Sequence, residues 1–197
     1  MDKSTRFDLI FFTGAGVSVE SGIPTFSEQP GLRDKLSRQF AMECTDAYRE
    51  TIRAMKAVVD KAEPNVAHKA IAEMNVPVIT MNIDGLHKKA GTAEVYEIHG
   101  TLPTEKEIVA ANFGALLNKP VLYGDPAPMY ATAKQLVHRL KYSNSYFVIV
   151  GVSFYTMISE ELLKIAKRRK ARIVIINENA TVNVPKFCEL YKRENLG

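Results

Sequence analysis

Cysteine is nearly absent: Cys44 and Cys188 are the only two in 197 residues. They lie far apart and form no C-x-x-C pair, which excludes a disulfide framework. No histidine has ligand spacing to either, so no zinc site is readable. Long apolar runs are missing as well. The longest, Leu9 to Phe12 and Tyr146 to Phe154, fall far short of a membrane span, and no signal-peptide apolar region follows the N-terminal charges. Nothing is repeated, and these absences together leave a cytoplasmic protein with no membrane partner as the expectation. Excess charge is small, +4 from 26 Lys plus Arg against 22 Asp plus Glu. Its densest cluster, Lys164-Ile165-Ala166-Lys167-Arg168-Arg169-Lys170, has no interleaved aromatics. It reads as the solvated C-terminal end of a helix rather than a nucleic-acid surface.

What is present is a chain of ordinary globular composition, 46% hydrophobic and 24% charged, long enough for one core with a small satellite. Strand-length apolar runs alternate with amphipathic helical segments, the pattern of an α/β doubly wound, Rossmann-like parallel sheet covered on both faces. The strand candidates number six: Asp8 to Phe12, Val78 to Thr80, Glu94 to Glu97, Val121 to Tyr123, Tyr146 to Val150 and Arg172 to Ile176. From about Thr25 to His68, apolar residues recur at helical spacing (Tyr48, Ile52, Met55, Val59), which predicts a small helical lobe. Lobe and sheet should leave a cleft at the carboxyl ends of the strands, where Gly14, Asn82, His99 and Gly151 all fall. Core packing does not account for four glycine or polar motifs placed there, and a dinucleotide is the ligand such a crevice takes.

The first of these motifs is the most specific. An apolar strand runs into Thr13-Gly14-Ala15-Gly16-Val17-Ser18-Val19-Glu20-Ser21-Gly22-Ile23-Pro24, a glycine turn whose bare N–H groups and following helix would face a pyrophosphate. Ser18 and Ser21 read as helix caps or as phosphate-facing residues. Asn82, Ile83 and Asp84 either close a turn or face the cleft, and His99 is either structural or an acid–base group. His68 and His87 read as buried, hydrogen-bonded structural histidines.

The glycine string resembles the signature of the sirtuins, NAD-dependent protein deacylases, G-A-G-x-S-x-x-S-G-I-P-D-F-R. Other motifs follow in the family's order. Pro64-Asn65-Val66-Ala67-His68 resembles P-N-x-x-H, Thr80-Met81-Asn82-Ile83-Asp84-Gly85-Leu86-His87 resembles T-Q-N-I-D-x-L-H, and Glu97-Ile98-His99-Gly100 resembles E-L-H-G. Tyr123-Gly124-Asp125 stands for F-G-E, Gly151-Val152-Ser153 for G-T-S, and Asn177 for a strand-ending Asn. The resemblance implies NAD as cofactor and an acylated-lysine protein or peptide as partner.

It also implies roles for particular residues. Gly14, Ala15, Gly16, Ser18, Ile23 and Phe26 would line the cofactor, with Phe26 over the nicotinamide end. Asn82, Ile83 and Asp84 would meet the nicotinamide ribose and carboxamide, while Gly151, Val152, Ser153 and Asn177 would hold the adenosine side. His99, with Asn82 and Asp84, would be catalytic, His99 acting as general base toward the ribose hydroxyls after the acyl oxygen has displaced nicotinamide. Met81 stands in place of the family's Gln, and Thr25 and Ser27 in place of the Asp and Arg of P-D-F-R. Loss of that charged pair leaves two other readings open, NAD glycohydrolase or ADP-ribosyltransferase and a non-catalytic NAD-binding module.

The family's zinc module, two C-x-x-C pairs after E-L-H-G, has no counterpart in the short linker at about 101–119. The expected organisation is thus a single domain over 1–197 with a lobe at about 25–68. Elemental analysis of the purified chain is expected to find no stoichiometric zinc, because two separated thiols cannot build a tetrahedral site. One tightly held zinc per chain would contradict this reading.

Overall fold

Apolar runs without polar alternation are stable as strands only when both faces are covered, and Leu9–Thr13 is buried at all five positions. In the computed structural model, which describes residues 5–109, 119–127, 129–154 and 156–195, this run is the central strand. Five strands, β1 (Leu9–Thr13), β2 (Val78–Thr80), β3 (Val95–Glu97), β4 (Tyr146–Val150) and β5 (Arg172–Ile176), pair in parallel in the order β3-β2-β1-β4-β5. Alternate side chains of β1 divide the core. Ile10 and Phe12 pack with helices α7 (Met129–His138) and α8 (Met157–Arg168), whereas Leu9 and Phe11 pack with α4 (Val66–Glu73) and α9 (Ala180–Asn195). Among the described residues no helix is long and apolar enough to cross a membrane.

The expected sixth strand, Val121 to Tyr123, is not in the sheet. Tyr123 forms a single parallel bridge to Ser37, and the Val121 N–H donates to the His99 carbonyl at 2.8 Å. Pro120 has no N–H to offer a ladder, and of the three residues only Leu122 is buried. The segment joins two bodies rather than extending one.

The lobe has its own core. Helices α1 (Leu32–Lys35), α2 (Arg38–Glu43) and α3 (Thr45–Val59) bury Leu32, Leu36, Ala41, Tyr48 and Ile52 together with Ile108, from α6 (Glu105–Val109), and Leu122. Two of its seven buried residues thus come from chain beyond β3. Arg38 holds the same segment by pairing both Nε and Nη2 with the Asp125 carboxylate, the Nη2 contact at 2.6 Å. Of the linker expected at about 101–119, residues 110–118 lie outside the described residues.

Strand order reverses between β1 and β4, and the glycines sit at that reversal. The Gly14 N–H donates to the Val150 carbonyl and the Gly16 N–H to the Gly151 carbonyl, both at 3.0 Å. A Cβ on Gly16 would lie 2.6 Å from the Gly151 Cα, and one on Gly14 2.7 Å from the Gly151 oxygen. The glycines are therefore required by backbone-to-backbone packing. The expected bare N–H groups are a correction: those of Gly14, Gly16, Val17 and Ser18 all have backbone acceptors, and only Ala15 in this stretch makes none of these bonds. No α-helix follows the turn either. Ala15–Val17 and Val19–Ser21 are single 3-10 turns, the second closed by Gly22 in the left-handed conformation, too short to supply a helix dipole.

Gly151 has φ +61°, and a Cβ there would lie 2.4 Å from the Val17 nitrogen, whereas Gly91, at φ +92°, has open space around it. Urea unfolding is expected to show a loss of at least ~3 kcal/mol for Gly151→Ala and about 1 kcal/mol for Gly91→Ala. Equal losses would remove the packing explanation.

Candidate active site

Asn82 and Asp84 leave the end of β2 and meet Ser18, which leaves the turn after β1. The Ser18 hydroxyl donates to Asp84 Oδ2 at 2.7 Å and accepts from Asn82 Nδ2 at 3.1 Å. Asp84 Oδ1 accepts from the Leu86 N–H at 2.9 Å, starting α5 (Leu86–Lys89). Ser18 is not a helix cap, as its side chain caps neither adjoining turn. It is the hinge pin of a polar web.

That web continues inward through two fully enclosed histidines. His68 Nε2 lies 3.4 Å from the Ser18 hydroxyl, and His68 Nδ1 lies 3.0 Å from Asn65 Oδ1. Asn65 caps α4, its side-chain oxygen accepting from the Ala67 and His68 N–H groups while its amide donates to the Val17 carbonyl at 2.8 Å. An oxygen that accepts can only face a donor, so His68 carries its proton on Nδ1. Its ring packs 4.9 Å from that of His87, whose Nε2 pairs with the Thr13 hydroxyl at 2.9 Å and whose Nδ1 has no partner. Burial lowers the pKa of both, opposed at His68 by the Asp84 charge and reinforced at His87, which falls to about 3, by the neighbouring imidazole.

Two cavities open at the strand ends. The larger, about 900 Å³, lies between lobe and sheet and takes Ala15, Ser18, Ile23, Phe26, Asn82, Ile83 and Asp84 from the predicted set, together with the α3 face at Ala47, Ala54 and Met55. The smaller, about 310 Å³, holds His99 with Met81, Tyr130 and Asp125. Phe26 and Ile83 line both. His99 follows β3, packs its ring 5.6 Å from that of Tyr130, and has its pKa lowered by burial alone. It is a neutral imidazole at neutral pH, in the form a general base requires.

The remaining predicted residues lie outside both cavities. Gly14, Gly16 and Gly151 form the crossing described above. Asn177 is turned inward on Val152, accepting from its N–H and donating to its carbonyl, each at 3.1 Å. Ser153 is exposed at the same end of the sheet. These residues brace the rim beside the larger cavity.

Sequence reasoning passed over three features. Thr25 and Ser27 are not mere losses of charge: Thr25 opens a capping box in which its N–H and hydroxyl donate to Glu28 at 2.7 and 2.8 Å, and Ser27 lies 2.8 Å from Thr25. The T-x-x-E spacing was visible and fixes the turn that presents Phe26. His68, three residues after an N-capping Asn, carried a signal for the web. Tyr130 carried none, being one apolar-patterned residue of α7.

The fit of NAD to this site rests on the donor set. An apolar cavity with a few converging polar groups (the Ala15 N–H, Asn82, Ser18 and Asp84) has the chemistry and size of a cofactor site. Its lining also includes the exposed acidic residues Asp46 and Glu50 of α3 and the cation Lys35.

Fold and site define a class, doubly wound Rossmann-like α/β proteins with a cleft at the strand ends. Within it, this chain belongs to the Sir2 family, whose sequence profile matches residues 14–112. It is 34% identical to NAD-dependent protein deacylase 2 of Archaeoglobus fulgidus, over 90% of this chain and 83% of that protein. It is 31% identical to an NAD-dependent protein deacetylase of Listeria monocytogenes, over 86% and 84%. A solved structure described as the basis for the mechanism and regulation of Sir2 enzymes superposes with TM-score 0.77 at 31% identity, covering 95% of this chain and 93% of that one. A Sir2 homolog–NAD complex, at 24% identity and TM-score 0.81, shares the fold.

His87 is faced by His68 and Thr13, and its lowered pKa means that the unfolded chain binds the proton first. Its stabilising contribution is whole above pH 6.5 and declines as pH falls toward 3. Between about pH 7.5 and about pH 5, unfolding free energy is expected to drop by on the order of 2 kcal/mol through this group. His87→Gln should flatten that dependence in urea titrations. An unchanged slope would show that other groups set it.

Proposed function

We propose that the chain is an NAD-dependent protein-lysine deacylase of the sirtuin type, transferring the acyl group to ADP-ribose as nicotinamide leaves. The observation that carries this is the shared wall: Phe26 and Ile83 separate a cavity holding Asn82 and Asp84 from one holding His99. A cofactor spanning that wall would present its ribose to both sets. The relatives' names, NAD-dependent protein deacylase and NAD-dependent protein deacetylase, support the same reaction.

NAD supplies the ribosyl carbon; the chain supplies position and a proton acceptor. Asn82, fixed by Ser18, would hold the ribose, and Asp84, tied to Ser18 and Leu86, would face the carboxamide. Phe26, set by its capping box, would cover the nicotinamide end and exclude water. His99 would take the proton from a ribose hydroxyl, and Tyr130 would orient its ring. Ala15, Ser18 and Ile23 would line the cofactor, with Gly14, Gly16, Gly151, Val152, Ser153 and Asn177 shaping the adenosine end. An acyl-lysine chain would enter beside His99, past Tyr123 and Asp125. Cys44 and Cys188 are both free thiols, in keeping with a cytosolic setting. The whole of 1–197 would act as a single unit, with the lobe as one wall of the cleft.

His99→Ala is expected to lower deacylation at least ~100-fold while leaving NAD affinity within about threefold, since a general base acts on the barrier more than on ground-state binding. Mass spectrometry of NAD incubated with an acylated peptide reads the outcome. Acyl-ADP-ribose is the expected product. Free or protein-bound ADP-ribose would instead assign NAD hydrolysis or ADP-ribosyl transfer, intact NAD would assign a binding module, and equal deacylation by the variant would remove His99 from its role.

A further inference from the structure

One charge in the smaller cavity is left uncompensated. Of the described residues that line it, only Arg33 and Asp125 carry charged side chains, His99 being neutral. Asp125 is already taken: its carboxylate, 6% exposed, pairs with both Nε and Nη2 of Arg38. Arg33, on α1, is exposed, and its side chain has neither an ion-pair partner nor a hydrogen-bond acceptor among the described residues. Its guanidinium lies 4.7 Å from the centroid of the Tyr123 ring, a stack that fixes its plane and leaves the N–H fork at its edge free for an anion.

The ring beneath it is held as well. The Tyr123 N–H donates to the Leu36 carbonyl at 3.0 Å and the Tyr123 carbonyl accepts from the Arg38 N–H at 3.2 Å, which ties Tyr123 to the turn that ends α1. Such bonds also limit how a peptide is gripped. The Val121 and Asp125 N–H groups go to the His99 and Leu122 carbonyls, so Pro120, Val121, Tyr123 and Asp125 offer an entering chain no free backbone donor. Selectivity then falls to side chains, among which Arg33 carries the charge. Depth decides what that charge meets. The acyl group must pass inward, to the wall of Phe26 and Ile83 beside His99, whereas Arg33 and Tyr123, the latter 43% exposed, stand at the mouth where the peptide itself remains.

We propose that Arg33, stacked on Tyr123, is a specificity-determining residue that takes the carboxylate of an Asp or Glu side chain within two residues of the acyl-lysine. This rests on the deacylase reading above. A carboxylate meets the guanidinium fork through two parallel hydrogen bonds, and Asp125, neutralised by Arg38, neither competes for Arg33 nor repels the incoming acid. A basic neighbour in the peptide meets like charge instead, so the same residue selects for one class of sequence and against another.

Acetyl-lysine peptides carrying Glu or Gln at each of the two positions on either side test this, read as kcat/KM and, without NAD, as binding by fluorescence anisotropy. Glu is expected to be favoured about fivefold over Gln at one position at low salt, through KM and Kd more than kcat, with the preference fading as salt is raised. Arg33→Gln should bring the two peptides within about 1.5-fold, and Arg33→Glu should turn the preference toward a Lys-flanked peptide, a gain that a misfolded variant cannot show. Equal handling of Glu and Gln at all four positions would overturn the proposal, as would a preference that survives Arg33→Gln. A preference for glutaryl-lysine over acetyl-lysine between neutral flanks, abolished by Arg33→Gln, would overturn it too, by placing the carboxylate on the acyl chain. Arg33-dependent binding of the Glu peptide without turnover would sustain the assignment and remove the deacylase reading, whereas turnover without a Glu preference would do the reverse.

Discussion

The crossing of Gly14, Gly16 and Gly151 sets the spacing of everything around it. A parallel sheet that reverses strand order leaves a gap between the two turns at the reversal, and here the two backbones close it by direct contact. With the gap closed, β1 and β4 deliver their ends into one plane. Val17 and Ser18 then sit under the β2 turn, and Ser18 can reach Asn82 and Asp84 together. Asn177 performs the matching task on the far side, clamping Val152 through both its backbone groups. The glycines thus position the site more than they touch its ligand.

Polar groups so enclosed are stable only if satisfied, and the web from Asn65 through His68 and Ser18 to Asp84 meets most of that demand, leaving His68 Nε2 facing a Ser18 oxygen whose one proton goes to Asp84. Each member fixes the next. Asn65 sets the His68 tautomer, His68 crowds His87, and Ser18 commits its proton to Asp84. Nδ1 of His87, buried with no partner at all, is the weak link of the arrangement. A site held from behind in this way needs few contacts in front, which suits a cavity lined mainly by Ile23, Ile83, Phe26 and the small residues of α3.

The parallel sheet was legible because β1, β4 and most of β5 are near-continuous apolar runs, a pattern few other environments tolerate. Strand-end placement likewise led from Gly14, Asn82 and His99 to a common cleft. Val121 to Tyr123 misled for the same reason that the others succeeded: it is apolar and strand-length, yet its partners are the α1–α2 turn and His99, contacts that no local pattern encodes. The glycine turn was read by analogy with phosphate loops, whereas the Gly14 and Gly16 N–H groups bond to the Val150 and Gly151 carbonyls, and only the register of β1 on β4 reveals that. Thr25 and Ser27 looked like missing charges until Glu28 was counted with them. Tyr130 reaches His99 through the packing of α7 on the sheet, information that resides in the fold and not in the residue.

The lobe core unites Leu32, Leu36, Tyr48 and Ile52 with Ile108 and Leu122. On the ribosome, α1 to α3 emerge early with nothing to close their apolar face, and the residues that complete it are synthesised only after β1, β2 and β3. The roof of the cleft is therefore the last of the N-terminal half to settle, and its assembly waits on a loop of some seventy residues being drawn shut. A nascent chain stalled before Leu122 would carry a nearly complete half-sheet beneath an unfinished roof.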